Sequence, residues 1–232
     1  MFTGLIRELG ALKSVVATTG ATRLDIEAPD LARTMAVGDS VAVNGICLTV
    51  TRRSGRLISV EAVGETRRLT TLGTWRRGTL LHLEPALRVG DPLDGHLMQG
   101  HVDGVGTVHK LKHDRGGLAV TILAAAAQRI FLVPKGSVAV DGVSLTVDEG
   151  PFKTGFTVHL IPHTVAVTRF AKVRVGDCVN LEMDVLVKAA RLGNFGELPS
   201  LSNDEQPVTE TANGLTMEKL LAKGFHRTQS RK

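Results

Sequence analysis

Ser40-Val-Ala-Val-Asn44-Gly45-Ile46-Cys47-Leu48-Thr49-Val50 returns, about a hundred residues later, as Ser137-Val-Ala-Val-Asp141-Gly142-Val143-Ser144-Leu145-Thr146-Val147. Each copy is two short β-branched runs split by Asn-Gly or Asp-Gly, dipeptides that accept positive φ in a two-residue hairpin turn. The same hairpin is therefore written twice. Other blocks recur in the same order: Met1-Phe-Thr-Gly4-Leu5-Ile6 with Leu97-Met-Gln-Gly100-His101-Val102, Glu65-Thr66 with His163-Thr164, and 78–84 with 176–182. Solenoid repeats run roughly 20–50 residues, so this longer period indicates two tandem domains.

Short runs of Val, Ile, Leu and Thr bounded by Gly, Asp and Asn fill both halves, as strand-and-turn sequences do. Strands are predicted at 40–43, 48–51, 57–62, 80–83, 118–123, 137–140, 145–147, 156–161 and 178–181, and helical pieces at 29–35, 66–72, 125–131 and 185–192. The fold class is mainly β: two small barrels from an internal duplication, each with a helix or two across an opening. Gly and Pro cluster between Val89 and Gly95, which divides the chain into domains 1–94 and 95–192. Residues 193–213 read as a linker, 215–225 as a short amphipathic helix with Leu220 and Leu221 on its apolar side, and 226–232 as a basic tail.

Composition narrows the class of function. The chain has 232 residues, 43% of them hydrophobic, enough for buried cores. Its two cysteines, Cys47 and Cys178, make neither a disulfide framework nor a Cys-x-x-Cys site, which fits a reducing cytoplasm. The opening residues carry an acid early and lack the apolar core of a secretory leader. The most apolar stretch, 118–133, is broken by Gln128 and Arg129, so no membrane partner is expected. A net charge of +5 invites a nucleic-acid reading, but the basic residues are dispersed among acids, with no Tyr and one Trp. Nucleic-acid surfaces want a basic stripe with aromatic platforms, so none is expected here.

The repeat also serves as a difference map. Cys47 corresponds to Ser144, Leu5 to His101 and Ala86 to Asp184, so reactive groups stand in one copy and not in its twin. Each has a plainer reading. Cys47 between Ile46 and Leu48 suits a small buried hydrophobe. Ser144 and Thr146 suit strand-end hydroxyls, and Asp184 suits a helix cap. His96 and His101 lie five apart, yet no third ligand follows at useful spacing, so no metal is expected. Gly104-Val-Gly106 lacks the third glycine of a dinucleotide fingerprint, and Ser144 has no Gly-x-Ser-x-Gly elbow. The residues alone indicate a duplicated β-barrel protein with an asymmetric small-ligand site.

Met1-Phe-Thr-Gly4, Asn44-Gly-Ile-Cys-Leu-Thr-Val50, Gly95-His-Leu-Met-Gln-Gly-His-Val-Asp-Gly104, Asp141-Gly-Val-Ser-Leu-Thr-Val147 and Leu160-Ile-Pro-His-Thr164 together resemble the riboflavin synthase α-chain family, over residues 1 to 192. The resemblance implies two six-stranded Greek-key barrels and a C-terminal helix assembling a homotrimer, with lumazine synthase as a possible further partner. It implies dismutation of two 6,7-dimethyl-8-ribityllumazine molecules to riboflavin and 5-amino-6-ribitylaminouracil, without cofactor or metal. A non-catalytic lumazine- or flavin-binding protein of the same fold is the alternative.

Carried over by position, the resemblance implies a first pocket of Gly4, Leu5, Ile6, Ser40, Cys47, Leu48, Thr49, Ala62, Glu65 and Thr66, with Gly100, His101, Val102 and Lys135 near it. It implies a second pocket of Ser144, Leu145, Thr146, Ile161, Pro162, His163 and Thr164. The expected catalytic groups are Cys47, His101, Ser144, Thr146 and Asp184. Thr168-Arg169-Phe170 departs from the family, which more often has Thr-Thr-Leu there.

Overall fold

A computed structural model describes residues 1–148, 150 and 152–193. The linker, the 215–225 helix and the basic tail lie outside the described residues. The first half carries β1 (Glu8–Thr18), β2 (Ala21–Glu27), α1 (Leu31–Thr34), β3 (Ser40–Val43), β4 (Ile46–Ser54), β5 (Leu57–Val63), α2 (Gly64–Leu69), a 3-10 turn (Thr71–Thr74) and β6 (Leu80–Pro85). The second repeats it: β7 (Gly104–Asp114), β8 (Gly117–Leu123), α3 (Ala126–Arg129), β9 (Ser137–Val140), β10 (Val143–Thr146), β11 (Gly155–Leu160), α4 (Pro162–Val167), a 3-10 turn (Arg169–Lys172) and β12 (Cys178–Met183). Helix α5 (Val185–Gly193) follows.

Strands β1-β2-β5-β4-β3-β6 close into an antiparallel barrel, and the second half makes a six-stranded sheet in the order β10-β9-β12-β7-β8-β11. There β10 stops at Thr146, and a single bridge, Val147 to Val158, joins its edge to β11. The first barrel is zipped along the same seam by β4, which pairs with β5 as far as Ser54.

The two hairpins set the register. Asn44 and Gly45 have φ of 46° and 78°, and Asp141 and Gly142 have 47° and 78°. Two successive positive φ values make the turn whose twist matches the flanking strands. Val43 then pairs with Ile46 and Ala42 with Cys47, just as Val140 pairs with Val143 and Ala139 with Ser144. Since side chains alternate along a strand, Val41, Val43, Ile46, Leu48 and Val50 fill the first barrel while Ala42, Cys47 and Thr49 point out of it. Val138, Val140, Val143, Leu145 and Val147 fill the second.

The halves meet tightly. Gly45 and Gly142 lie back to back, and a Cβ on either would fall 2.8 or 2.6 Å from the other's backbone nitrogen. Phe2 and Met98, both fully buried, bridge strand-to-strand between the barrels and pack with Ala42 and Ala139. Burying Phe2 contributes roughly 2–3 kcal/mol of transfer free energy.

A polar network with the same two-fold sense closes this joint. The buried His82 ring has Nδ1 2.9 Å from the Asp141 carbonyl oxygen, and its Nε2 accepts from Arg169 N at 2.8 Å. Asn180 does the twin job: Nδ2 donates to the Asn44 oxygen at 2.8 Å and Oδ1 accepts from Thr71 N at 2.8 Å. Arg169, the family departure, is explained here. Its guanidinium pairs with the fully buried Asp141 carboxylate, Nε at 2.7 Å.

Candidate active site

On the outer surface of the first barrel, Ser40 lies opposite Thr49 and Ala42 opposite Cys47. On the second, Ser137 lies opposite Thr146 and Ala139 opposite Ser144. The alternation that sends Cys47 and Thr49 outward sends Leu48 inward: the side chains of Leu48, Ala62 and Leu145, 5%, 2% and 7% exposed, pack in the barrel cores, which leaves their backbone to face the outer surface.

The segments before β1 and β7 cross over. Gly100 O accepts from Cys47 N at 2.9 Å, and Val102 packs on the first barrel's core. Reciprocally, Gly4 O accepts from Ser144 N at 3.0 Å, and Ile6 packs on the second barrel's core. The expected grouping of Gly4, Leu5 and Ile6 with Cys47 is thereby corrected: the structure sets this segment against Ser144. The Phe2–Met98 bridge is the reason, because it lays the two segments side by side at the joint, each against the opposite barrel.

Glycine is required at both crossings. Gly4 and Gly100 have φ of 81° and 77°. A Cβ on Gly100 would lie 2.5 Å from the Cys47 Cβ, and one on Gly4 equally close to the Ser144 Cβ. Each segment is held by a buried carboxylate at the end of a closing strand. Glu84 accepts from Thr3 N at 2.7 Å, Thr3 Oγ1 at 2.8 Å and Gly4 N at 3.0 Å. Glu182 accepts from Gln99 N at 2.7 Å and Gly100 N at 3.0 Å.

A cleft of about 240 Å³ opens beside Cys47, lined by Ile46, Glu65, Thr66, Leu69, Thr70, Gly100, His101 and Val102. It joins the expected thiol, imidazole and helix α2 residues in one place. Glu65 is exposed and pairs with Arg68, whose hydrogen bond holds the carboxyl below its usual range. Ser40 lines a neighbouring cleft of about 420 Å³ with Asp39, Ala86 and Arg88.

In the second barrel, Ser144 Oγ lies 2.7 Å from His96 Nδ1. His96 is 8% exposed, and its Nε2 is buried with no hydrogen-bond partner among the described residues. Burial lowers the tendency of this imidazole to protonate, while the Asp184 charge acts the other way. A neutral imidazole against a hydroxyl is the arrangement that activates a serine. Asp184 also caps α5, its Oδ1 accepting from Leu186 N at 2.8 Å. Thr146 is exposed beside Ser137. Ile161 precedes α4 and is 61% exposed, and Pro162, His163 and Thr164 form its first turn. Lys135 sits at φ 59° in the turn entering β9, its N–H on the Val147 oxygen at 3.0 Å.

His96 is the residue that the difference map misses. Met1 corresponds to Leu97, so position 96 has no counterpart in the first copy and nothing to be compared with.

A sequence model of the lumazine binding domain matches residues 3–86 and again 99–184. Riboflavin synthase of Brucella abortus (strain 2308) is 38% identical over 201 residues, covering 84% of this chain and 99% of that protein. The chain belongs to the riboflavin synthase family. Riboflavin synthase of Actinobacillus pleuropneumoniae is 30% identical over 225 residues, covering 97% of this chain and all of that protein. That of Bacillus subtilis (strain 168) is 36% identical over 188 residues, covering 81% of this chain and 87% of that protein. Crystal structures of LumP complexed with 6,7-dimethyl-8-(1'-D-ribityl) lumazine and with riboflavin superpose with TM-scores of 0.71 and 0.73. Each covers 79% of this riboflavin synthase family chain and 99% of the LumP chain, at 22% and 23% identity, a likeness of fold alone. No helix among the described residues is long and apolar enough to cross a membrane.

Proposed function

We propose that this chain is a riboflavin synthase: it takes two molecules of 6,7-dimethyl-8-ribityllumazine and moves a four-carbon unit from one to the other. The acceptor leaves as riboflavin and the donor as 5-amino-6-ribitylaminouracil. The observation that carries this reading is the pair of outer faces, alike in backbone register and unlike in chemistry. One sets Cys47 beside the segment bearing His101, and the other sets Ser144 against His96.

A reaction between two identical molecules needs two similar cradles and different reactive groups in each. Holding both rings in register supplies much of the acceleration, up to roughly 7–11 kcal/mol in the best intramolecular models. In this reading His101 moves the proton of a lumazine methyl group, with Thr146 or Ser144 beside it once the faces meet. Cys47, or a water it positions, serves the addition to the donor ring. Asp184 polarises the second site through His96. General acid–base help of this kind is worth about 10²–10⁴.

The faces close on each other between chains of a homotrimer, first face of one chain against second face of the next. In support, His101, Thr49, Thr146 and Ile161 are all exposed in the single chain. The direct test is incubation of the purified chain with 6,7-dimethyl-8-ribityllumazine, following riboflavin by its fluorescence and the uracil product by chromatography in equal amounts. Tight binding of the lumazine without either product would instead assign a binding protein of the same fold.

A further inference from the structure

His101 has no hydrogen-bond partner for its ring among the described residues, and it is exposed. Its imidazole therefore goes where the backbone of Gln99 and Gly100 puts it. That backbone is fixed on one side by the Gly100 O to Cys47 N bond and on the other by the Glu182 carboxylate, 3% exposed. The contact with Cys47 is too close for even a methyl group on residue 100, so a small slip of the segment alters the thiol–imidazole relation directly.

We infer that Glu182 is the positioning residue of the first-barrel site: by accepting the Gln99 and Gly100 N–H bonds it sets where His101 stands against Cys47, and so governs turnover without touching substrate. The inference deepens the riboflavin synthase reading and rests on it for its kinetic consequence.

The twin latch shows why this one is adjustable. Glu84 receives three donors, one of them the Thr3 hydroxyl, whereas with Gln99 at the matching position Glu182 accepts, among the described residues, from the Gln99 and Gly100 N–H groups alone. Burial pushes the Glu182 carboxyl up to about 7, against the pull of those two N–H groups and of Lys188. Asp103 pushes it up further; it is itself tied to Lys188 Nζ at 2.9 Å and accepts from Met183 N at 2.7 Å. As pH falls through 7, Glu182 takes up a proton and both bonds lose their charge assistance. The His101 segment then loosens; burial raises the Glu84 carboxyl as well, but that one holds the Thr3–Gly4 segment with the Thr3 hydroxyl as a further donor.

The test is a double-mutant cycle read by pH–rate profile, using Glu182→Gln and His101→Asn. Glu182→Gln lowers kcat about ten- to a hundredfold, the cost of slight misplacement, with KM within about twofold. The unmutated chain is expected to lose rate on an acid limb near pH 7, and Glu182→Gln to remove that limb. In the His101→Asn background the same replacement changes kcat less than about twofold, because the residue it positions is gone. An unchanged acid limb, or losses that multiply in the double variant, overturns the inference.

Amide hydrogen exchange at Gln99 and Gly100 of the unmutated chain decides the matter without any variant and without turnover. Protection there, corrected for intrinsic chemistry, falls between pH 8 and 5.5. Equal protection at both pH values overturns the latch. A chain that shows the exchange response but makes no riboflavin retains the latch and loses the proposed function.

Discussion

Cys47 and Ser144 occupy the same place in two copies of one hairpin, each across from an alanine and each against a crossing glycine. Their chemistry differs in what it demands of neighbours. A thiol is intrinsically nucleophilic, whereas a hydroxyl needs a base, and only Ser144 has a buried imidazole at 2.7 Å. Cys47→Ser removes the thiol while keeping the shape, so turnover falls at least about tenfold and lumazine affinity stays within about twofold. Steady-state rates and a fluorescence titration of the bound ligand check this; unchanged turnover takes Cys47 out of the mechanism. Glu182 shows a further tension at this scale. A buried carboxyl with a raised pKa makes folding less favourable as pH climbs from 4.5 towards 7. The ionised form that anchors His101 is thus the form the fold tolerates less well.

Among the elements, the joint between the barrels matters most. His82 on β6 and Asn180 on β12 make equivalent bonds across it, but only His82 titrates. Burial holds its imidazole down to about 4, against an ordinary value of 6.5. The folded chain keeps the ring neutral where the unfolded chain would charge it, so this contribution is whole above 6.5 and lost as pH falls towards 4. His82→Asn, copying the twin, preserves a donor and an acceptor. Its expected outcome is a cost of about 1 kcal/mol at neutral pH, with a flatter decline in stability between pH 6.5 and 4, read from urea midpoints.

Elements were also what the chain spelled out most clearly. Asn44-Gly45 and Asp141-Gly142 announce turns that need positive φ, and both turns form. The expected helical pieces at 29–35, 125–131 and 185–192 contain α1, α3 and nearly all of α5. Period-two alternation tells which side chains face in or out, so that Cys47 and Thr49 present side chains to the outer face while Leu48 packs inward between them. Alternation does not tell which barrel an outward residue faces. The crossing of Gly4–Ile6 to Ser144 depends on contacts between residues far apart in sequence, and no local pattern encodes it.

At the scale of the whole molecule, the proposed site is divided between chains, and that division has an arithmetical signature. A Cys47→Ser chain keeps a sound second face, and a Ser144→Ala chain keeps a sound first face. Dissociated together and reassembled in equal amounts into the proposed trimer, they pair two sound faces at about a quarter of the interfaces. Activity in the mixture well above either parent is the expected result. If both faces of a single chain made the site, every site would carry one lesion and mixing would restore nothing.

The joint itself carries a historical consequence. Its bonds obey the rule of an isologous contact, in which one partner's residue touches the other as the other touches it: Gly45 on Gly142, His82 answering Asn180, one crossing strand for another. Two identical chains related by a dyad would make these same contacts. The present molecule is most simply a symmetric dimer whose subunits were fused head to tail. Fusion would have freed the ancestral subunits from sequence identity, so that one could keep sulfur where the other came to hold oxygen.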